Sequence, residues 1–232
     1  MLVWYIVSVI VGVEMILPSP ASAIERLFEL MKTGEFWVAV GNTISRALIS
    51  FILSFVLAVI LSVISYIAPI FVKILNPIVV ILRAVPTMSI ILLALIWLDS
   101  KTAPMLIAFL ILFPHLYASL FSSLNGINRE LIEVSKAFKV PLGRQIVGLY
   151  LPSILPSTLD AMKANLSLGV KVTIAGEVLA QTALSMGICM QISKIYFDTA
   201  ELLGWTIMAI VISYVFEGCF ELIKRLSVRW KR

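Results

Sequence analysis

Apolar residues run along this chain in blocks about as long as a membrane is thick, and short polar turns separate them. A helix needs roughly 20 mostly apolar residues to cross a hydrocarbon core about 30 Å deep. On that measure the pattern predicts six transmembrane helices, at about 2–17, 41–65, 77–98, 103–124, 163–182 and 203–223. The first block holds Glu14 and begins at Met1 with no basic segment or small-residue cleavage site, so it reads as an uncleaved helix and not a signal peptide. The pattern breaks once at length, in a polar island from about Asn125 to Lys163.

The connecting segments have their own signals. Leu17-Pro18-Ser19-Pro20 is a stop, Ser19 followed by Pro20 is a cap and first-turn pair, and Ser22 with Glu25 offers an alternative capping box. Ile24, Leu27, Phe28 and Met31 then recur at helical spacing, predicting a short amphipathic helix at 20–33 in the outer interface, with Trp37 at its exit; a plain connector is the alternative. Pro86 lacks a backbone donor, so the third span should kink or break there. Within the island, Asn128 can cap a helix that carries Leu131, Val134 and Phe138 on one face. Pro141 can open a second helix bearing Leu142, Ile146 and Leu149, and Leu151-Pro152 should break it before the fifth span. The island, 125–162, therefore reads as a helical hairpin offered to a partner. There is no internal repeat, low-complexity tract or flexible linker, so residues 1–232 form one all-α membrane domain.

Composition agrees with a bilayer. The chain is 61% hydrophobic and 13% charged, with a mean hydropathy of +1.07, where a soluble domain would be about a quarter charged. With the N-terminus inside, the inner segments hold Lys73, Arg83, Arg129, Lys136, Lys139, Arg144, Lys163, Lys224, Arg225, Arg229, Lys231 and Arg232. The outer loops hold only Arg26, Lys32, Lys101 and Lys194. That asymmetry places both termini in the cytoplasm, and it explains the net charge of +5 without invoking nucleic acid. Cys189 and Cys219 lack metal or disulfide spacing and read as packed free thiols.

A charge inside a span costs roughly 2.5–3.5 kcal/mol at mid-membrane, so each one asks for a role. Lys171 lies well inside the fifth span, with Ser167 one turn before it. Thr173, Glu177 and Gln181 form a polar stripe on another face, which can line a path or hold helices together. Arg46 and Glu177 both fall in the outer third of their spans, as an ion pair or as a substrate contact. Glu14 and Glu217 are single acids suited to interfaces or helix contacts, and His115 beside Pro114 has no nucleophile or carboxylate near it in sequence. No hydrolase, zinc or phosphate-loop motif occurs.

At this point the residues resemble the permease subunits of ATP-binding-cassette (ABC) importers, in the branch that handles sulfonates, taurine, nitrate and thiamine or riboflavin precursors. That family's cytoplasmic signature reads Glu-Ala-Ala, then Gly, then Leu-Pro. Here Glu133-Val134-Ser135 stands for the first element, Lys139 replaces the Gly, and Leu151-Pro152 falls in place. Leu17-Pro18-Ser19-Pro20, Gly34 to Trp37, Arg46, Arg83-Ala84-Val85-Pro86 and Leu131-Ile132-Glu133 also sit where that branch has similar residues, so the likeness runs from about 15 to 230.

The resemblance implies a type I importer permease fold and a bacterial or archaeal cytoplasmic membrane. It implies that Leu131, Glu133, Val134, Ser135, Lys136, Ala137, Phe138 and Lys139 belong to a helix that couples to an ATPase. Leu131, Val134 and Phe138 would anchor in the ATPase groove, with Glu133 and Lys136 at its rim. The implied partners are two ABC ATPase subunits, an extracytoplasmic solute-binding protein and a second permease copy, identical or paralogous. The chain would be non-catalytic and bind no cofactor, with ATP and Mg on the ATPase. A self-sufficient secondary transporter or channel is the rival reading, and an intramembrane hydrolase a further one that lacks its nucleophile. The solute stays open between a sulfonate, a nitrate-like anion and a vitamin or its precursor.

Overall fold

The computed structural model describes residues 2–227, and all its regular elements are helices. Arg229, Trp230, Lys231 and Arg232 of the basic tail lie outside the described residues. In chain order the helices are α1 (Leu2–Val11), α2 (Pro20–Met31), α3 (Gly34–Ile67), α4 (Pro69–Ala84), α5 (Thr87–Trp97), α6 (Ala103–Asn125) and α7 (Arg129–Ala137). They continue with α8 (Leu142–Gln145), a π-helical turn (Ile146–Tyr150), α9 (Leu151–Ala180), α10 (Met186–Ile195) and α11 (Thr199–Ser227).

Three of them, α3, α6 and α11, are each long and apolar enough to cross a bilayer. Packing follows the small residues of α3. Ala39, Thr43, Ala47, Ser50, Ser54, Ala58, Ser62 and Ser65 recur every three or four positions, and all are buried. Such a seam lets backbones approach closely where lipid offers no hydrophobic drive. Ser50 Oγ donates to the Met105 carbonyl at 3.0 Å and Ser54 Oγ to that of Phe109 at 3.2 Å, so α3 and α6 run parallel. α9 packs against both, and α11 lies antiparallel along α9, with Lys224 on Asp160 at 2.5 Å and Lys163 on Glu221 at 3.7 Å. The core gathers Phe51, Ile91, Ile107, Leu112, Leu116 and Tyr117. α2 packs on α11, burying Ala23 and Leu27.

Three sequence expectations need correction. The first block is helical only over Leu2–Val11, because Gly12 adopts φ +62 and its N–H returns to the Ser8 carbonyl at 3.0 Å, a left-handed stop open to glycine. Ten residues reach about 15 Å, half a bilayer. The block at 77–98 breaks at Val85-Pro86 as expected, into two helices meeting at 98°, but its first helix, α4, starts back at Pro69. Leu151-Pro152 does not interrupt the chain. The π turn before it lets the Leu151 N–H reach the Ile146 carbonyl, and Pro152 falls in the first turn of α9, where its missing donor costs little.

Candidate functional site

Two groups of residues carry chemistry, one at each end of α9. At its Leu151 end lies α7, opened by Asn128, whose side chain accepts from the Glu130 N–H at 2.9 Å. It closes in a Schellman turn. The Val140 N–H bonds the Ser135 carbonyl at 3.0 Å and the Lys139 N–H bonds that of Lys136 at 2.9 Å. Such a turn needs a left-handed residue at its close, and Lys139 supplies it at φ +49. No residue of α7 is buried. Leu131, Val134 and Phe138 are 50%, 53% and 80% exposed, and Leu142 and Val147 extend the apolar surface. Glu133, Lys136 and Ala137 are exposed beside them, while Ser135 is half-buried and donates to the Ile132 carbonyl at 2.8 Å. The tie back to the bundle runs through Tyr66 and Tyr150, whose rings sit edge to face at 6.1 Å.

The Ala180 end is the opposite case. Glu177 is wholly buried and meets three donors: Thr43 Oγ1 at 2.8 Å, Arg46 Nη1 at 2.9 Å and the Gly187 N–H at 3.3 Å. Thr43 in turn accepts from the Met186 N–H at 3.0 Å. One carboxylate thus joins α3, α9 and α10. Gly187 is required there by space, since a Cβ would lie 2.4 Å from the Glu177 Cβ. Arg46 and Glu177 were visible as partners from their depth in the spans. Thr43, one turn before Arg46, could have been found by helical spacing, whereas nothing in the sequence marks Gly187.

The expected stripe divides. Thr173 is buried beside Glu177, with its hydroxyl unpartnered among the described residues, while Gln181 is exposed and ends α9 at φ +49. The face that carries Thr173 and Glu177 therefore packs helices within one chain. Lys171 points the other way, exposed on the α11 side, where Ser167 Oγ donates to Glu217 at 2.9 Å. Glu14 accepts from Ser22 Oγ at 3.1 Å, and His115 Nδ1 lies 2.8 Å from the Ile111 carbonyl, a helix contact. No cluster of potential metal ligands occurs among the described residues.

The family model described as "Binding-protein-dependent transport system inner membrane component" matches residues 69–232. The riboflavin transport system permease protein of Chloroflexus aurantiacus is 31% identical over 93% of this chain and 81% of its own. The taurine transport system permease protein of Escherichia coli is 20% identical over 98% and 85%. Among solved structures, a chain of the inward-facing methionine ABC transporter MetNI superposes with a TM-score of 0.71 at 19% identity, covering 83% of this chain and 97% of that one. That likeness establishes the fold.

Proposed function

Because this chain belongs to the family of binding-protein-dependent transport system inner membrane components, we infer that it is the pore-forming subunit of an ATP-driven importer. As a multi-pass transport permease it needs an energy source, and this chain carries no phosphate-loop motif. The observation that carries the reading is α7, a capped amphipathic helix with no buried residue and three exposed apolar side chains. A helix in that state suits a hydrophobic groove on another protein. In this reading an ABC ATPase takes Leu131, Val134 and Phe138, with Glu133 and Lys136 at the rim.

The full assembly has two such ATPases, a second permease copy and an outer solute-binding protein. The chain lies in the inner membrane as a multi-pass protein, with α3, α6 and α11 among its crossings. ATP and Mg bind on the ATPases, which close, move α7, and switch the pore from inward-facing to outward-facing. The solute is a small sulfonate, a nitrate-like anion, or a riboflavin- or thiamine-type compound.

Purification from native membranes tests this. An ATPase subunit should co-elute with the chain, and Phe138→Ala should lower ATP-driven uptake at least tenfold while the amount of inserted protein stays the same. Solute uptake by vesicles holding this polypeptide alone would overturn the assignment and favour a self-sufficient transporter.

A further inference from the structure

Lys171 has no place in the packing described so far. It lies about two-thirds of the way along α9, inside the expected fifth span, is exposed, and has no carboxylate within 4.0 Å among the described residues. A lone ammonium at that depth, facing lipid, would be costly, and such groups face water-filled space or a partner. The space is there. A groove of about 380 Å³ runs between α9 and α11, lined by Lys171, Thr206, Ser213, Tyr214 and Glu217, with Ala209 and Ile210 as its apolar wall.

Register fixes its polarity. Ser167 is bonded to Glu217, and the two helices are antiparallel, so Lys171 stands level with Ser213 and one turn of α9 from the carboxylate, a separation of about 6 Å along the groove. The hydroxyls of Thr206 and Ser213 donate to the carbonyls of Leu202 and Ala209 at 2.9 Å and 3.0 Å, which leaves them as acceptors toward the groove. Along the groove the order is therefore the Thr206 hydroxyl, then Lys171 level with the Ser213 hydroxyl, then the Glu217 carboxylate.

We propose that this groove is a solute-contact site within the membrane, with Lys171 selecting small organic solutes that carry an anionic group and Glu217 taking a hydrogen-bond donor of the same solute. It rests on the transport reading above. It adds that the permease itself sorts solutes by charge.

Charged thiol reagents of matched size test the site without knowledge of the natural solute. In the full chain carrying Cys189→Ser and Cys219→Ala, Ser213→Cys is labelled in membranes with the sulfonatoethyl and the trimethylammonioethyl methanethiosulfonates. Both should react, with a sulfonate-to-ammonium rate ratio higher than at Ser100→Cys. Adding Lys171→Gln should lower the sulfonate-to-ammonium rate ratio at least about tenfold, as expected for losing one charge at a few ångströms in a partly hydrated groove. Adding Glu217→Gln instead should raise it. Two results overturn the site: no labelling of Ser213→Cys while Ser100→Cys labels normally, or a ratio that Lys171→Gln leaves unchanged. The labelling requires no ATPase, so its failure is separable from a failure of ATP-driven uptake, and either can occur without the other.

Discussion

The two ends of α9 are built on opposite principles. At the Ala180 end the buried charges are matched inside the chain. Glu177 is closed by three donors from α3 and α10, and Arg26 binds Glu29, Asp198 and Glu201 at 2.9, 3.2 and 2.9 Å, tying α2 to the start of α11. At the Leu151 end the helix that should do the most, α7, touches least. Its apolar residues stand in solvent and no side chain is buried. A bundle that pairs its buried charges at one end and leaves an apolar helix face uncovered at the other has surface to offer at the second. Exposed apolar surface of that kind marks an interaction site.

The contrast breaks most severely at Glu177. Glu177→Ala leaves the Arg46 guanidinium, 15% exposed, without its partner, and losing one member of a buried pair costs about 3–5 kcal/mol. The thermal midpoint of the purified protein should fall by roughly 6–20 °C, read by size-exclusion after heating. A fall of a degree or less would show that the node is slack. The reciprocal swap, Arg46→Glu with Glu177→Arg, should not restore the midpoint. Thr43 Oγ1 and the Gly187 N–H are donors aimed at the same carboxylate, so an arginine there meets donors with donors. The pair is oriented by its surroundings as well as by charge.

Gly187→Ala comes next. The new Cβ would lie 2.7 Å from the Val178 nitrogen as well as against Glu177, and that backbone cannot swing aside. Overpacking of this kind costs about 1–3 kcal/mol. The same heating assay should show a smaller drop, with α10 displaced and Met190 and Cys189, which pack on the neighbouring core, made more accessible to thiol and oxidant probes. An unchanged midpoint would mean that α10 does not seat on α9 as described.

These contacts show where sequence reading succeeds. Arg46 and Glu177 could be paired in advance because a charge in an apolar span has few places to go, and depth alone brought them level. The Asn128 cap and the break at Pro86 were legible because each depends on neighbours in the chain. What was not legible depended on a neighbour distant in sequence. The small-residue seam of α3 reads as a plain run of Ser and Ala until α6 lies against it. Gly187 is one glycine among 11 until Glu177 is placed beside it. Thr173, Glu177 and Gln181 looked like one stripe because spacing assumes that the helix continues, and α9 ends at Ala180. Lys171 falls on a different face by spacing, and only α11 gives that face its groove.

The smallest effect belongs to the open end, at Lys139. Its φ of +49 closes the Schellman turn of α7, and a lysine there carries a Cβ that crowds its own backbone. Glycine removes that strain but has more freedom to lose on folding, so the two terms partly offset. Lys139→Gly should stabilise the turn by about 0.5–1 kcal/mol. With α7 outside the cooperative unit that the Glu177 end dominates, the thermal midpoint should stay where it is, while amide exchange at Val140 and through the last turn of α7 slows by roughly two- to fivefold. Faster exchange in the variant would mean that the lysine side chain contributes more than its backbone strain costs. If the midpoint rose by several degrees instead, α7 would have to be part of the same cooperative unit as the Glu177 node, and the two ends of α9 could no longer be treated as independent.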